Sequence, residues 1–162
     1  MINICQTIYD YLHSNWSGSI VTGSIDWVIG YNISPRPTYP KIIIEENADV
    51  SPKVNFVSIG CRKFEHEVKC RIQVNPIMMF NSDLTGSAEN MRILQNEVDR
   101  LINLGRNTVS EVDQVEPGFW KDTTKRDETQ VILESEQKLK CIYYSGTGSQ
   151  TSQWTFPFIF LS

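Results

Sequence analysis

Residues 64–74 carry the pattern that most constrains the fold of this chain. Apolar or neutral side chains alternate strictly with charged or polar ones over these eleven residues: Phe64, His66, Val68, Cys70, Ile72 and Val74 against Glu65, Glu67, Lys69, Arg71 and Gln73. A repeat of two is the side-chain period of a β-strand. The pattern therefore predicts one long strand in a sheet with a buried face and a solvated face.

Other runs rich in β-branched and aromatic residues predict the neighbouring strands. They comprise one or two short strands within 19–31, then strands at 41–45, 54–59, 131–133 and 139–144. Residues 34–40 contain three prolines and are expected to be extended and irregular, because proline fixes φ and removes a backbone donor.

A last strand is predicted near the C-terminal end, where the residues of 146–149 are expected to turn the chain back. Its aromatic face consists of Trp154, Phe156, Phe158 and Phe160. Pro157 cannot donate a ladder hydrogen bond, so this strand is expected at a sheet edge or broken there. The aromatic face is interpreted as sheet core or as a contact between subunits.

Two amphipathic helices are predicted, over residues 2–14 and over 87–104, each with apolar residues at helical spacing. Ser87 is the expected N-cap of the second helix. Gly105 is expected in the left-handed position that often follows a last helical turn. With runs of strands rather than β-α-β alternation, the sequence predicts a single α+β domain over residues 1–162, a mainly antiparallel sheet of four to six strands flanked by two helices.

Residues 106–130 are polar and rich in turn formers, apart from a short apolar segment formed by Pro117, Gly118, Phe119 and Trp120. They are therefore expected to form a long loop. A loop of this length within a small domain commonly works at a contact.

Charge and composition exclude several classes of function. The net charge is −4 and the basic residues are scattered, which disfavours tight binding to nucleic acid. No apolar stretch approaches the 18 residues of a membrane span, and no secretory signal is expected. The four widely spaced cysteines are interpreted as free thiols in a reducing compartment, so the chain is expected to be soluble and intracellular.

The sequence has no recognisable catalytic motif, and no catalytic residue, cofactor or metal is predicted. The two histidines, His13 and His66, have no metal ligands at suitable spacing, and His66 is interpreted as a core or interface side chain. Cys70 lies four residues from His66 on one strand, roughly 13 Å away. The glycines at 146–149 lack the lysine of a phosphate loop.

Paired carboxylates occur at Glu45/Glu46, Glu65/Glu67 and Glu134/Glu136. The acid and base of a glycosidase require a desolvated cleft, whereas the mixed charges around Glu65 and Glu67 indicate that these two carboxylates are solvated.

The order of elements resembles a viral family. An amphipathic helix ends near Trp16, a proline-led strand covers 36–44, and a strand at 70–74 leads through a polar loop into the helix at 87–104. This order is similar to that of the tail terminator and tail-completion proteins of tailed bacteriophages and related archaeal viruses. Those are small α+β proteins that form rings, often hexameric, stop growth of the tail tube and join the tail to the head.

The resemblance implies a structural protein of the virion rather than an enzyme. It implies a homo-oligomeric ring, partners among tail-tube and neck proteins, passage of DNA without specific binding, and a place in the virion after assembly in the host cytoplasm. The candidate subunit contacts are Phe119, Trp120, Trp154, Phe156 and Phe158. Open alternatives are a neck adaptor, a tail-tube subunit, a non-viral small-molecule binding module, and an enzyme whose site is assembled from distant segments.

Overall fold

A computed structural model describes residues 3–20, 22–30, 38–75, 84–109, 111–126 and 131–146 of the chain. These residues contain two helices, α1 (Ile4–Asn15) and α2 (Leu84–Leu104), a 3-10 turn at Thr22–Ser24, and seven strands. The strands are β1 (Asp26–Ile29), β2 (Lys41–Glu46), β3 (Lys53–Ser58), β4 (Cys61–Val74), β5 (Gln114–Asp122), β6 (Lys125–Arg126) and β7 (Val131–Gly146). The predicted α+β class is confirmed.

The strands form a sheet in the order β1-β2-β4-β7-β5, with β3 paired to β4 and the two-residue β6 paired to β7. β1 and β2 are parallel, and the other pairs are antiparallel. β4 and β7 pair along their shared length, from Cys61 opposite Gly146 to Val74 opposite Leu133. This long ladder is the central element of the sheet.

The alternation at 64–74 is confirmed in β4. Val68, Cys70, Ile72 and Val74 are fully buried on one face, which α1 and α2 cover, and the alternate residues lie on the other face. The core beneath the helices joins this face to the apolar stripes of α1 and α2, including Ile4, Ile8, Leu12, Leu94, Val98, Leu101 and Ile102. The sheet is thus covered on one side, as the period of two requires.

The first helix forms close to its predicted span. Asn3 caps α1 by accepting a hydrogen bond from the Gln6 amide (3.1 Å), which satisfies one of the free N–H groups of the first turn. The helix ends at Asn15, and Trp16 then turns its ring into the core and donates Nε1–H to the Ile20 carbonyl (2.8 Å).

The second helix ends at Leu104 as predicted, but its predicted start is wrong. The helix begins at Leu84, so Ser87 lies inside it. The apolar stripe that locates this helix begins only at Met91, and nothing in the pattern marks the turns before it. Gly105 does not have a positive φ, which the described glycines show only at Gly30 and Gly60.

The structure gives Gly105 a different reason to be glycine. A Cβ atom built there would lie 2.4 Å from both Cζ and Oη of Tyr11. Tyr11 crosses from α1 to donate its hydroxyl to the Leu101 carbonyl (2.7 Å). The glycine therefore makes room for a ring that joins the two helices.

The region predicted as a loop over 106–130 is also different in the structure. Residues 114–122 form β5, an outer strand of the sheet paired to β7. The two strands predicted at 131–133 and 139–144 are one continuous strand, β7. The polar residues between them, Glu134, Ser135 and Gln137, are buried, and each makes side-chain hydrogen bonds to residues distant in the sequence.

Candidate assembly surface

β3, the first part of β4 and the end of β7 form a three-stranded extension of the sheet, called the arm below. β7 occupies one edge of β4 throughout, so β2 and β3 must share the other edge. β2 pairs with Val68–Gln73, and β3 pairs with 61–65. The arm therefore continues the sheet beyond the end of β2, with β3 as its outer strand.

β3 is exposed along its whole length, and four large apolar side chains of the arm are in solvent. Phe56 is 79% exposed, Val54 and Val57 are more than half exposed, and Ile59, in the turn that follows, is fully exposed. The Arg62 guanidinium lies over the Phe56 ring at 5.2 Å. A group of exposed large apolar side chains is typical of an interaction site.

The register explains where this patch comes from. Val54 lies opposite Phe64, and Phe56 lies opposite Arg62. Both therefore share the face of β4 that carries Val68 and Cys70 in the core. In the described residues α1 and α2 cover that face over the body of the sheet and leave it bare on β3. The arm thus extends the buried side of the sheet into solvent.

An aromatic stack holds the base of the arm. The Phe64 and Tyr143 rings are stacked at 4.9 Å, and the Tyr143 hydroxyl lies 3.3 Å from His66 Nε2. His66 is buried, which confirms its interpretation as a core histidine. Its role here is packing and one hydrogen bond to a neighbouring strand.

Sequence reasoning missed the thiol closest to this histidine. Cys141 is the cross-strand partner of His66, a neighbour that cannot be found by counting along one strand. Burial raises the pKa of Cys141 to about 12, so the thiol is protonated at neutral pH. A thiolate nucleophile is therefore disfavoured despite the short separation.

Two of the remaining thiols, those of Cys5 and Cys70, are disfavoured as nucleophiles in the same way. All four cysteines are free and buried, which confirms the free-thiol prediction. Burial raises the pKa of Cys5 and of Cys70 to about 12. In the parts of the chain that the structure describes, no group of three or more His, Cys, Asp or Glu side chains could hold a metal ion.

One of the paired carboxylates lies in the interior of the fold. Glu134 is 3% exposed, on the sheet face away from the helices. It accepts hydrogen bonds from Arg71 (3.1 Å), Gln73 (2.5 Å) and Thr123 (2.8 Å). Arg71 also pairs with Glu45 at 2.7 Å. Glu134 therefore joins β4, β7 and the end of β5 as an ion-paired carboxylate.

Glu65 matches the solvated interpretation more closely. Lys140 donates to its carboxylate (3.3 Å), and Lys63 lies 3.5 Å from the other oxygen. Mainly through the Lys140 hydrogen bond, the pKa of Glu65 lies below its ordinary value. A depressed pKa describes a carboxylate that stays ionised, which is the opposite of a general acid.

The predicted contact residues Phe119 and Trp120 have separate roles in the structure. Phe119 is 97% exposed at the outer edge of β5. Trp120 packs against the core and donates Nε1–H to both carboxylate oxygens of Asp99 (3.0 and 3.1 Å). The ladder is irregular between Pro117 and Trp120, which turns the two neighbouring rings to different sides.

Gly118 is required at this irregularity. A Cβ atom there would lie 2.9 Å from the Lys138 carbonyl oxygen, and the Gly118 carbonyl accepts a hydrogen bond from Gln137 Nε2 (2.9 Å). The other predicted contact residues, Trp154, Phe156 and Phe158, lie outside the described residues.

A second surface feature is a groove of about 720 Å³ between α1, the end of α2 and residue 111. Polar and charged side chains dominate its lining, which includes Asp10, Ser14, Asn15, Arg100 and Glu111. Arg100 is already paired with Glu97 (2.7 Å). Glu111 has a positive φ of 65°, an uncommon conformation for a residue with a side chain.

Comparisons with known proteins leave the sequence without an assigned family. No protein-family model matches the chain, and no curated protein matches it significantly. Among the described residues, neither helix has the length and apolar character needed to cross a membrane.

Proposed function

We propose that this chain is a structural assembly protein that forms a homo-oligomeric ring, of the tail-terminator type found in tailed viruses. The observation that carries the proposal is the arm, whose exposed strand displays Val54, Phe56 and Val57 beside a fully exposed Ile59. Such side chains expose on the order of a few hundred Å² of apolar surface, comparable with the largest patch of a typical monomer. Contact with a neighbouring copy removes that surface from water.

The positions of the exposed apolar groups favour contact between different surfaces of two copies. The arm lies on the β2 side of β4, whereas Phe119 lies on β5, at the opposite edge of the sheet. A copy thus carries two separate apolar sites. Contacts between unlike surfaces generate rings when the rotation closes.

The rest of the proposal follows from the resemblance and the charge. The ring, a hexamer by resemblance, caps the tail tube and meets neck or connector proteins in the virion after assembly in the host cytoplasm. A net charge of −4 favours passage of DNA without retention, because binding to phosphates requires clustered basic residues. A neck adaptor or a tail-tube subunit is supported by the same arm.

The groove beside α1 favours a second candidate, a small-molecule binding module. Its volume of about 720 Å³ lies within the usual range of ligand pockets, roughly 300–1,000 Å³. Its lining is mostly polar, whereas such pockets are mainly apolar. A monomer whose melting temperature rises with a metabolite from a small polar panel supports this candidate over the ring.

Sedimentation velocity and negative-stain imaging of the purified protein test the ring. The arm variant is Phe56→Lys/Ile59→Lys, which places charge on the exposed apolar patch. The matched control is Leu104→Lys, since Leu104 is 64% exposed but lies on α2, outside the arm. We expect rings for the unmodified protein and for the control, and folded monomers for the arm variant.

Two results contradict the proposal. One is an unmodified protein that stays monomeric over the whole accessible concentration range. The other is an arm variant that assembles as the unmodified protein does. Thermal unfolding of each variant separates loss of assembly from loss of folding.

A further inference from the structure

The outer edge of β3 has backbone groups without a strand partner in the described part of the chain. β3 pairs with β4 on one side, and no described strand lies on its other side. An open edge of this kind is a template for an added strand. The four exposed apolar side chains beside it make this edge the most suitable place on the described surface for strand addition.

A strand donated by the same chain covers only the open edge of the arm. It closes the edge of β3, but both faces of the arm stay in water together with the new side chains. A neighbouring copy supplies a strand and also the body behind it, which covers a face. Narrow ribbons gain stability mainly when a layer packs against them. The exposure of β3 on both faces therefore favours a donor from another copy.

The segment 154–161 has the properties of such a donor. It alternates Trp154, Phe156 and Phe158 with other residues and carries no charge, which suits an apolar face. Its eight residues span roughly 26 Å as a strand, against roughly 20 Å for the six residues of β3. Pro157 is tolerated in an outermost strand, because one edge of that strand needs no hydrogen bonds.

We propose that β3 receives the segment 154–161 of a neighbouring copy as an added strand. This inference rests on the assembly proposed above and names the element that makes its contact. Main-chain hydrogen bonds fix the position of the added strand, and its alternating side chains continue the face of Val54 and Phe56. Each copy donates one strand and accepts one, a head-to-tail contact that closes into a ring.

Cysteine cross-linking between two kinds of subunit tests the proposal. An untagged chain carries Asn55→Cys on β3, and a co-expressed tagged chain carries Thr155→Cys, Pro157→Cys or Ile159→Cys. These positions leave Phe56 and the donor's aromatic rings unchanged. A disulfide forms only where the two Cα atoms lie within about 7 Å, so the three donor positions sample the possible registers.

The expected result is a covalent heterodimer of one tagged and one untagged chain, strongest for one donor position. A single chain that carries both cysteines of the best pair then gives a ladder of covalent oligomers that ends at the ring size. Leu104→Cys replaces Asn55→Cys as the control, because it is exposed but lies on α2. The unmodified protein, whose thiols are buried, reports any background cross-linking.

The outcomes distinguish this inference from the function it rests on. A disulfide formed only within one chain overturns the inference, because the segment then serves its own copy. Assembled rings without a cross-link at any of the three donor positions also overturn it, and leave the assembly function standing. An unmodified protein that never assembles overturns both.

Discussion

Replacement of Gly105 by alanine is expected to destabilise the protein through a side chain almost a hundred residues away. The added Cβ would lie 2.4 Å from Cζ and Oη of Tyr11, well inside contact distance, so the ring must move. Movement of the ring breaks the hydrogen bond from Tyr11 to the Leu101 carbonyl. The structure therefore ties the cost to Tyr11 and not to the backbone at residue 105.

The magnitude follows from two opposing effects. Overpacking costs about 1–3 kcal/mol, and the lost hydrogen bond costs about 1 kcal/mol. Alanine also restricts the unfolded chain, which returns roughly 0.4–1 kcal/mol. The net loss is about 2 kcal/mol, or a fall of about 4–8 °C in melting temperature for a chain of this size.

A double-mutant cycle measured by urea unfolding, followed by circular dichroism, isolates the cause. Gly105→Ala is made in the native background and in a Tyr11→Ala background, where the ring is absent. We expect the cost to disappear in the second background. The matched control is Gly23→Ala, since a Cβ there meets no atom within 4 Å. An equal cost in both backgrounds refutes the reasoning and points to backbone strain at residue 105 itself.

Three further predictions concern other parts of the fold. In the Phe56→Lys/Ile59→Lys background, which is expected to be monomeric, Trp120→Ala should lower the free energy of unfolding in urea by about 3 kcal/mol. Phe119→Ala should change it by less than about 0.5 kcal/mol. Equal costs would contradict the placement of Trp120 against the core and of Phe119 in solvent. Arg100 lowers the pKa of Glu97 below its ordinary 4.5. The pair therefore stabilises the fold above that pH, and this stabilisation is lost as the pH falls further. Glu97→Gln should weaken the dependence of the unfolding free energy on pH in the acid range, and an unchanged dependence counts against the pair. Burial raises the pKa of Cys5, Cys70 and Cys141 to about 12. These thiols should therefore react with a thiol reagent at pH 8 only as fast as the protein unfolds. Rapid labelling of these three residues in the native protein would show that they are accessible.

The parts of the fold with a strong period were predictable from the sequence. β4 was predicted from its alternation and α1 from its apolar spacing, because in both elements one face is buried by the same chain. β3 was also predicted as a strand, but its exposure was not, since Val54 and Phe56 look the same in a sequence whether or not a layer covers them.

The errors in predicting β5 and β7 have a common physical cause, because the residues concerned interact with partners that are distant in the sequence. β7 was divided in two because Glu134, Ser135 and Gln137 look like a solvated break, whereas Arg71, Gln95 and Asp99 satisfy them across the fold. The sequence predicts a loop where β5 forms, because residues 106–130 are polar and rich in turn formers, and the ladder of β5 is irregular between Pro117 and Trp120. Neither the partner of a buried polar group nor an irregular ladder has a local signature.

Of the candidate site, the sequence indicated Phe119, which is exposed, together with Trp120, whose partly buried ring packs against the core. The arm itself was missed as a surface. Its recognition needs the register between β3 and β4, which shows that Val54 and Phe56 lie beyond the reach of both helices. The predicted roles of Trp154, Phe156 and Phe158 stay predictions for the cross-linking experiment.

The long pairing of β4 with β7 also sets the order in which the chain can mature during synthesis. β4 is complete at Val74, but the strand that pairs along its full length ends only at Gly146. More than seventy further residues must therefore be synthesised before the two strands can pair, and pairings so distant in sequence form slowly. Since the body and the arm share this ladder, a nascent chain completes its core and its arm at the same late moment.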